Sequence, residues 1–157
     1  MSVEAPTEAG PVRARAAARL GRVRRSSLAV LVLLVLEFGF GMYVNLYVMV
    51  PRADRHGGVG GAVANGPVVL SLHAVLGFLL GVGALAVLVQ AIVARHPGAI
   101  AASAIGLLAM VMASALGASF TASGDTADSM GMAVMTAIAL LCYALNLVWS
   151  RPPARRG

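Results

Sequence analysis

The chain has no lysine, one cysteine and few charges of either sign. Charged residues make up 11% of its 157 residues, whereas soluble domains carry roughly a quarter. So small a stock cannot cover a water-facing surface, which excludes an ordinary soluble domain. The lone Cys142 permits neither an intrachain disulfide nor a cysteine-based metal site. It reads as a small apolar filler within a helix. Several catalytic signatures are also missing: no Walker-type glycine loop, no G-x-S-x-G elbow, no H-E-x-x-H and no cysteine pair. The Gly-Val-Gly-Gly run at 58–61 lacks the lysine that phosphate binding requires. These absences lean the reading away from an enzyme.

What is present is apolar length. Hydrophobic residues reach 59% and fall into four runs, at about 27–50, 67–94, 98–120 and 129–149. Each is long enough for a bilayer core of ~30 Å, which takes roughly 20 helical residues. The expected fold is all-α, a bundle of four transmembrane helices spanning 27–149. The first run is too long, and its basic flank too extended, for a cleaved signal peptide. Residues 1–26 form a basic tail, small and polar over 1–11 and expected to be disordered there. Beyond it, Val12, Ala16, Leu20 and Val23 alternate with Arg15, Arg19 and Arg22. This segment reads either as a short amphipathic helix on anionic headgroups or as a solvated charge cluster that sets topology. Residues 150–157 are a second basic tail.

All twelve cations are arginine and the formal net charge is +6. With abundant Ala, Gly and Val, this composition points to a high-GC bacterial genome and so to a bacterial inner membrane. The arginines flank the apolar runs instead of forming a soluble basic surface, which argues against nucleic acid as a partner. Ten lie in the two tails and at Arg95, and two, Arg52 and Arg55, lie on the other side. The positive-inside rule then places both termini in the cytoplasm. Tyr47 and Trp149 stand near span ends, where interfacial aromatics belong. The 95–98 turn is tight, so the second and third spans are antiparallel neighbours. The 51–66 connection has five glycines and reads as a slack linker or a mobile cover.

Helical periodicity separates interior from lipid. Ser103, Gly106, Met110, Ser114, Gly117 and Thr121 share a stripe, opposite Ile105, Leu108, Met112 and Leu116. Met132, Thr136, Ala139, Tyr143 and Asn146 share another, opposite Val134, Leu141, Leu145 and Val148. His73, Gly77, Gly81, Ala84 and Leu88 make a third, and Glu37, Gly41, Asn45 and Val48 a fourth. Small and hydroxyl residues on one side permit close helix approach, so these stripes should face inward.

Glu37 is the residue most in need of explanation. It falls near mid-membrane, where ionisable groups are costly and mark function by default. No Arg lies inside a span to pair with it. It is expected to be a neutral carboxyl, hydrogen-bonded to Tyr143 or Ser103, serving as interhelical glue, a proton carrier or a ligand holder. His73 lies about 9 Å below its span's outer end, at a depth shared with Asn45, Ser114 and Met135. It is expected to hydrogen-bond Asn45 or Ser114, or to ligate a haem iron. The methionines Met42, Met49, Met130, Met132 and Met135 cluster toward one end, and thioethers select Cu(I). They form no regular array, and gap-filling suffices to explain them. His56 and His96 read as loop residues.

The stretches LEFGFGMYVNLYV and SLHAVLGFLLG resemble those of uncharacterised four-span membrane proteins of actinobacterial type. These loosely resemble haem-binding four-helix bundles, such as b-type cytochromes and haem A synthase halves. The resemblance implies a haem b held by His73, with Met135 as the second axial ligand. Three roles remain open at this stage: a binding or accessory protein that assembles with itself or a larger membrane complex, a haem- or quinone-binding redox module, and a small transporter.

Overall fold

The structure, a computed structural model, describes residues 9–47 and 58–150. Met49, Arg52, Arg55, His56 and the C-terminal arginines lie outside the described residues. Within them the chain is all helical: α1 (Ala9–Tyr47), α2 (Gly58–Asn65), α3 (Val68–Ala94), α4 (Pro97–Ser123) and α5 (Thr126–Trp149). Four of these are long and apolar enough to cross a bilayer. Even α5, at 24 residues, extends about 36 Å at 1.5 Å per residue. The chain is a multi-pass membrane protein with four spans.

The long helices pack in a ring, α1 against α3 and α5, and α4 against α3 and α5. The α1–α3 contacts are antiparallel: Arg19 reaches the Val93 carbonyl, Ser26 bonds Gln90, and Glu37 meets His73. On α1, Val23, Ser27, Val30, Leu34, Glu37 and Val44 are buried. With Gly41 they repeat at alternating spacings of four and three, the seam of a left-handed helix pair. Leu34, Leu80, Ala84, Met110, Ala139 and Tyr143 meet in the middle of the bundle. Leu108, Phe78 and Leu141 point outward, at 62%, 72% and 66% exposure. Exposure of that kind along all four helices suits acyl chains and not water.

The helix ends explain the short connections. α3 stops at Arg95, which adopts the left-handed conformation (φ 55°) and donates its N–H to the Ile92 carbonyl. His96 caps α4, its Nδ1 accepting from the Ala99 N–H at 3.2 Å, with Pro97 in the first turn. Gly124 (φ 72°) ends α4, and Asp125 caps α5 by accepting from the Ala127 N–H. Asp128 Oδ2 accepts from Ser119 and Ser123, tying the two helices at that corner. His96 is therefore a cap and not a bare loop residue.

Three elements carry detail beyond the sequence reading. α1 runs unbroken from Ala9, its proline, Pro11, lying in the first turn, where the missing N–H breaks no helical bond. The glycine-rich connection is not slack throughout. Its second half forms α2, which packs on α3 and α4, with the Ser71 hydroxyl donating to the Val63 carbonyl at 2.7 Å. The third-span stripe holds at Ser103, Gly106, Met110 and Thr121, which are buried, but Ser114 is exposed and donates to its own helix at Met110, while Ala109 and Ala113 are buried beside the stripe. Leu116 does not face lipid squarely either, since its methyl groups lie against Gly131 of α5.

Candidate functional site

Glu37 and His73 form the centre of the site. Nδ1 of His73 lies 2.8 Å from Oε1 of Glu37. The approach falls outside hydrogen-bond geometry, so the contact is a close polar pair and not a linear bond. At that distance two bare lone pairs would repel, so one of the two groups carries a proton. The Glu37 side chain is only 10% exposed and that of His73 23%.

Two glycines make the approach possible. A Cβ at Gly77 would stand 3.2 Å from Glu37 Oε1, and one at Gly41 would stand 3.1 Å from His73 Cε1. Each polar residue thus faces a glycine one turn from its partner. Glu37 and Gly41 on α1 meet His73 and Gly77 on α3 as a reciprocal pair across an antiparallel contact. Close approach of this kind is the usual work of small residues in membranes, here turned to seating an acid and a base.

Beside the pair opens a cavity of about 60 Å³, lined by Glu37, Phe38, Gly41, Met42, Asn45, His73, Ser129, Met132, Ala133 and Thr136. It is a cleft in the α1–α5 seam with the pair in its wall. Toward the Tyr47 end, Ser129 donates to Asn45 Oδ1 at 3.0 Å and bridges the seam. Thr136 donates to the Met132 carbonyl at 2.9 Å. Glu37 Oε2 has no hydrogen-bond partner among the described residues.

The expected partners are thereby reassigned. Glu37 meets His73, and not Tyr143 or Ser103. The Tyr143 hydroxyl is buried without a partner among the described residues, its ring packed on Gly106, where a Cβ would stand 2.9 Å away. Ser103 accepts from Asn146 Nδ2 at 2.8 Å in a separate buried layer nearer the Arg95 end. His73 meets neither Asn45, which holds Ser129, nor the outward-turned Ser114. Met135 is half-buried and does not line the cavity. Met132 does line it, but its sulfur lies where a Gly117 Cβ would sit 3.2 Å away.

Haem does not fit these residues. The His73 ring is seated against Gly41, its Nδ1 is turned to Glu37, and the adjoining space holds two or three waters, not a porphyrin. No cluster of three His, Cys, Asp or Glu occurs among the described residues.

A missing cation misled the sequence reading of Glu37, because only arginine was counted as a partner. The usable signal was the spacing: Glu-x-x-x-Gly on one span and His-x-x-x-Gly on the next, antiparallel to it. The fold and site define a four-span helical membrane protein with a polar pair inside its bundle. No family model matches the chain, and no curated protein or solved structure does.

Proposed function

We propose that this is a membrane-embedded binding protein whose site is the α1–α5 cavity beside Glu37 and His73. One observation carries the reading: Glu37, nearly buried and with Oε2 unpartnered among the described residues, lines a cavity inside a lipid-facing bundle. Leaving such a group unsatisfied costs about 1–3 kcal/mol or more. A ligand that draws the Glu37 carboxyl round toward the cavity, about its soft terminal torsion, supplies the missing contact and recovers that cost. Intramembrane acids with a partner and a cavity mark ligand or proton sites more often than passive packing.

The same proposal places the chain in a bacterial inner membrane with both termini in the cytoplasm. The five arginines from Arg15 to Arg25 then lie against anionic headgroups. Assembly with itself or a larger complex belongs to this reading as an accessory role. A quinone in the cavity is the second reading. It has less support, because quinone oxygens only accept hydrogen bonds and the cavity offers few free donors.

Native mass spectrometry of the protein released from detergent tests the site. Wild type should carry a small-molecule adduct that Ala133→Phe, which fills the cavity, removes. Identical spectra for the two would count against a ligand site in the seam.

A further inference from the structure

Ser103 and Asn146 are not the whole of the inner polar layer. The Asn45–Ser129 bridge fixes the register of α1 against α5. From it, about five helical turns toward the Arg95 end reach Ser27 on α1 and Leu147, the neighbour of Asn146, on α5. Ser27, Ser103 and Asn146 are all fully buried, so polar side chains from α1, α4 and α5 share one sealed level. α3 is brought to the same level by the Ser26 hydroxyl, which donates to Gln90 Oε1 at 3.0 Å. It closes the level with Val87 and Ala91, both fully buried.

The hydrogen bonds of this level do not close. Asn146 Nδ2 donates to Ser103 Oγ at 2.8 Å, but Asn146 Oδ1 has no partner among the described residues. Neither has Ser27 Oγ. Hydroxyls elsewhere in these spans donate to the carbonyl four residues back, as Ser114 does to Met110 and Thr136 to Met132. Ser27 does not use that outlet, so its O–H is aimed away from its own helix. The unmet groups are thus a donor on α1 and an acceptor on α5, and Ser103 keeps its own proton to give. Whatever satisfies them must accept and donate at once. A cation answers only the oxygens and an anion only the protons, whereas water answers both. Water is also the smallest group that does so, and about three polar partners are what a buried water typically has.

We propose that Ser27, Ser103 and Asn146 bind one internal water. It accepts from Ser27 and Ser103 and donates to Asn146 Oδ1. α1 packs on α3 and α5 and not on α4, so this water joins α1 to the α4–α5 pair through the centre of the bundle. With Ser26 on Gln90, the level becomes a belt of hydrogen bonds through all four helices. No solvent competes for such bonds inside a bilayer, and they fix how far α1 slides along its neighbours. That register is what sets Glu37 against His73 at the far end of the same helix. The inference does not rest on the cavity beside Glu37, which lies toward Tyr47.

The test is NMR magnetisation transfer from water to the full chain in nanodiscs of deuterated lipid. The side-chain amide signals of Asn146 are identified by their loss in Asn146→Ser. A water cross peak to the Asn146 Nδ2 protons is expected in the wild type, although the residue is fully buried. Ser27→Thr and Ser27→Val have one shape and differ only in the hydroxyl; the first should keep the peak and the second should lose it. Ser103→Ala removes the hydroxyl beside the amide and should keep the peak, which then reports water and not hydroxyl exchange. Helicity and elution volume confirm that each variant folds. If Ser27→Val does not, the wild-type and Ser103→Ala spectra still decide. No cross peak in the wild type, a peak that a folded Ser27→Val retains, or one that vanishes with the Ser103 hydroxyl each overturns the proposal.

Discussion

Glu37 reaches His73 over the space that Gly77 leaves open, and His73 is seated against Gly41. Adding one methyl at either glycine should therefore act on the pair and not merely on packing. Gly77→Ala is expected to cost about 1–3 kcal/mol through overpacking and to separate the two groups. Thermal unfolding in detergent and the infrared carboxyl band should both change. Gly106→Ala, whose new methyl would meet the Tyr143 ring at 2.9 Å, should destabilise at least as much while leaving the carboxyl band alone. Gly81 is the control. A Cβ there meets nothing within 4 Å, so Gly81→Ala should be neutral or stabilise by up to about 1 kcal/mol. A large loss of stability at residue 81 would mean that another surface packs on that face.

At the scale of elements, the turns are built from caps whose worth can be checked. Arg95 holds a left-handed conformation at φ 55°, which a side chain disfavours and glycine adopts freely. Arg95→Gly should raise stability by about 0.5–1 kcal/mol, read as a higher midpoint of thermal unfolding. Asp125→Ala, which removes the acceptor for the Ala127 N–H, should lower it by about 0.5–2 kcal/mol. These elements were largely legible in the sequence. Apolar runs of bilayer length located all four spans, and the stripe from Met132 to Asn146 faces inward as its spacing implies, with Val134 and Leu141 outside. Ser114 departs from the third-span stripe because small residues occur on most sides of α4, so alanine and serine do not distinguish burial there. The α1 helix extends beyond its apolar run, because the arginine content marks where lipid stops, not where helix stops. The Glu37–His73 pair could not be read from either helix alone. It depends on the register between α1 and α3, which no single-helix periodicity encodes.

For the molecule as a whole, the distribution of charge gives the most consequential expectation. Ten arginines flank one side of the spans and two the other, and the proposed topology follows from that bias. In a Cys142→Ala background, single cysteines within 52–66 should react with an impermeant thiol reagent on intact cells, and cysteines in either tail should not. Labelling of the tails instead would invert the molecule and with it the leaflet nearest the Asn45–Ser129 bridge. The bundle also contains two polar layers, the Glu37–His73 cleft and the buried Ser103–Asn146 contact, with Leu34, Leu80 and Ala139 among the apolar core. The first layer adjoins a cavity lined from the α1–α5 seam, whereas Ser103 and Asn146 are fully buried.

The reciprocal seating of the pair has a consequence for exchange. Each helix presents a long polar side chain and, one turn later, a bare backbone position, and the antiparallel contact sets each against its opposite. Locally the two strips are related by a half-turn, so the acid and the imidazole are interchangeable tenants of the same two places. Glu37→His alone sets two imidazoles together, and His73→Glu alone sets two carboxylates together; both singles should unfold more readily than wild type. The double exchange, Glu37→His with His73→Glu, restores one acid beside one base and keeps both glycines beneath them. Thermal unfolding of the four proteins should show the double variant recovering most of what either single loses. A double variant no more stable than the singles would show that the two strips are not equivalent, and that the seat on α1 is shaped for the carboxylate alone.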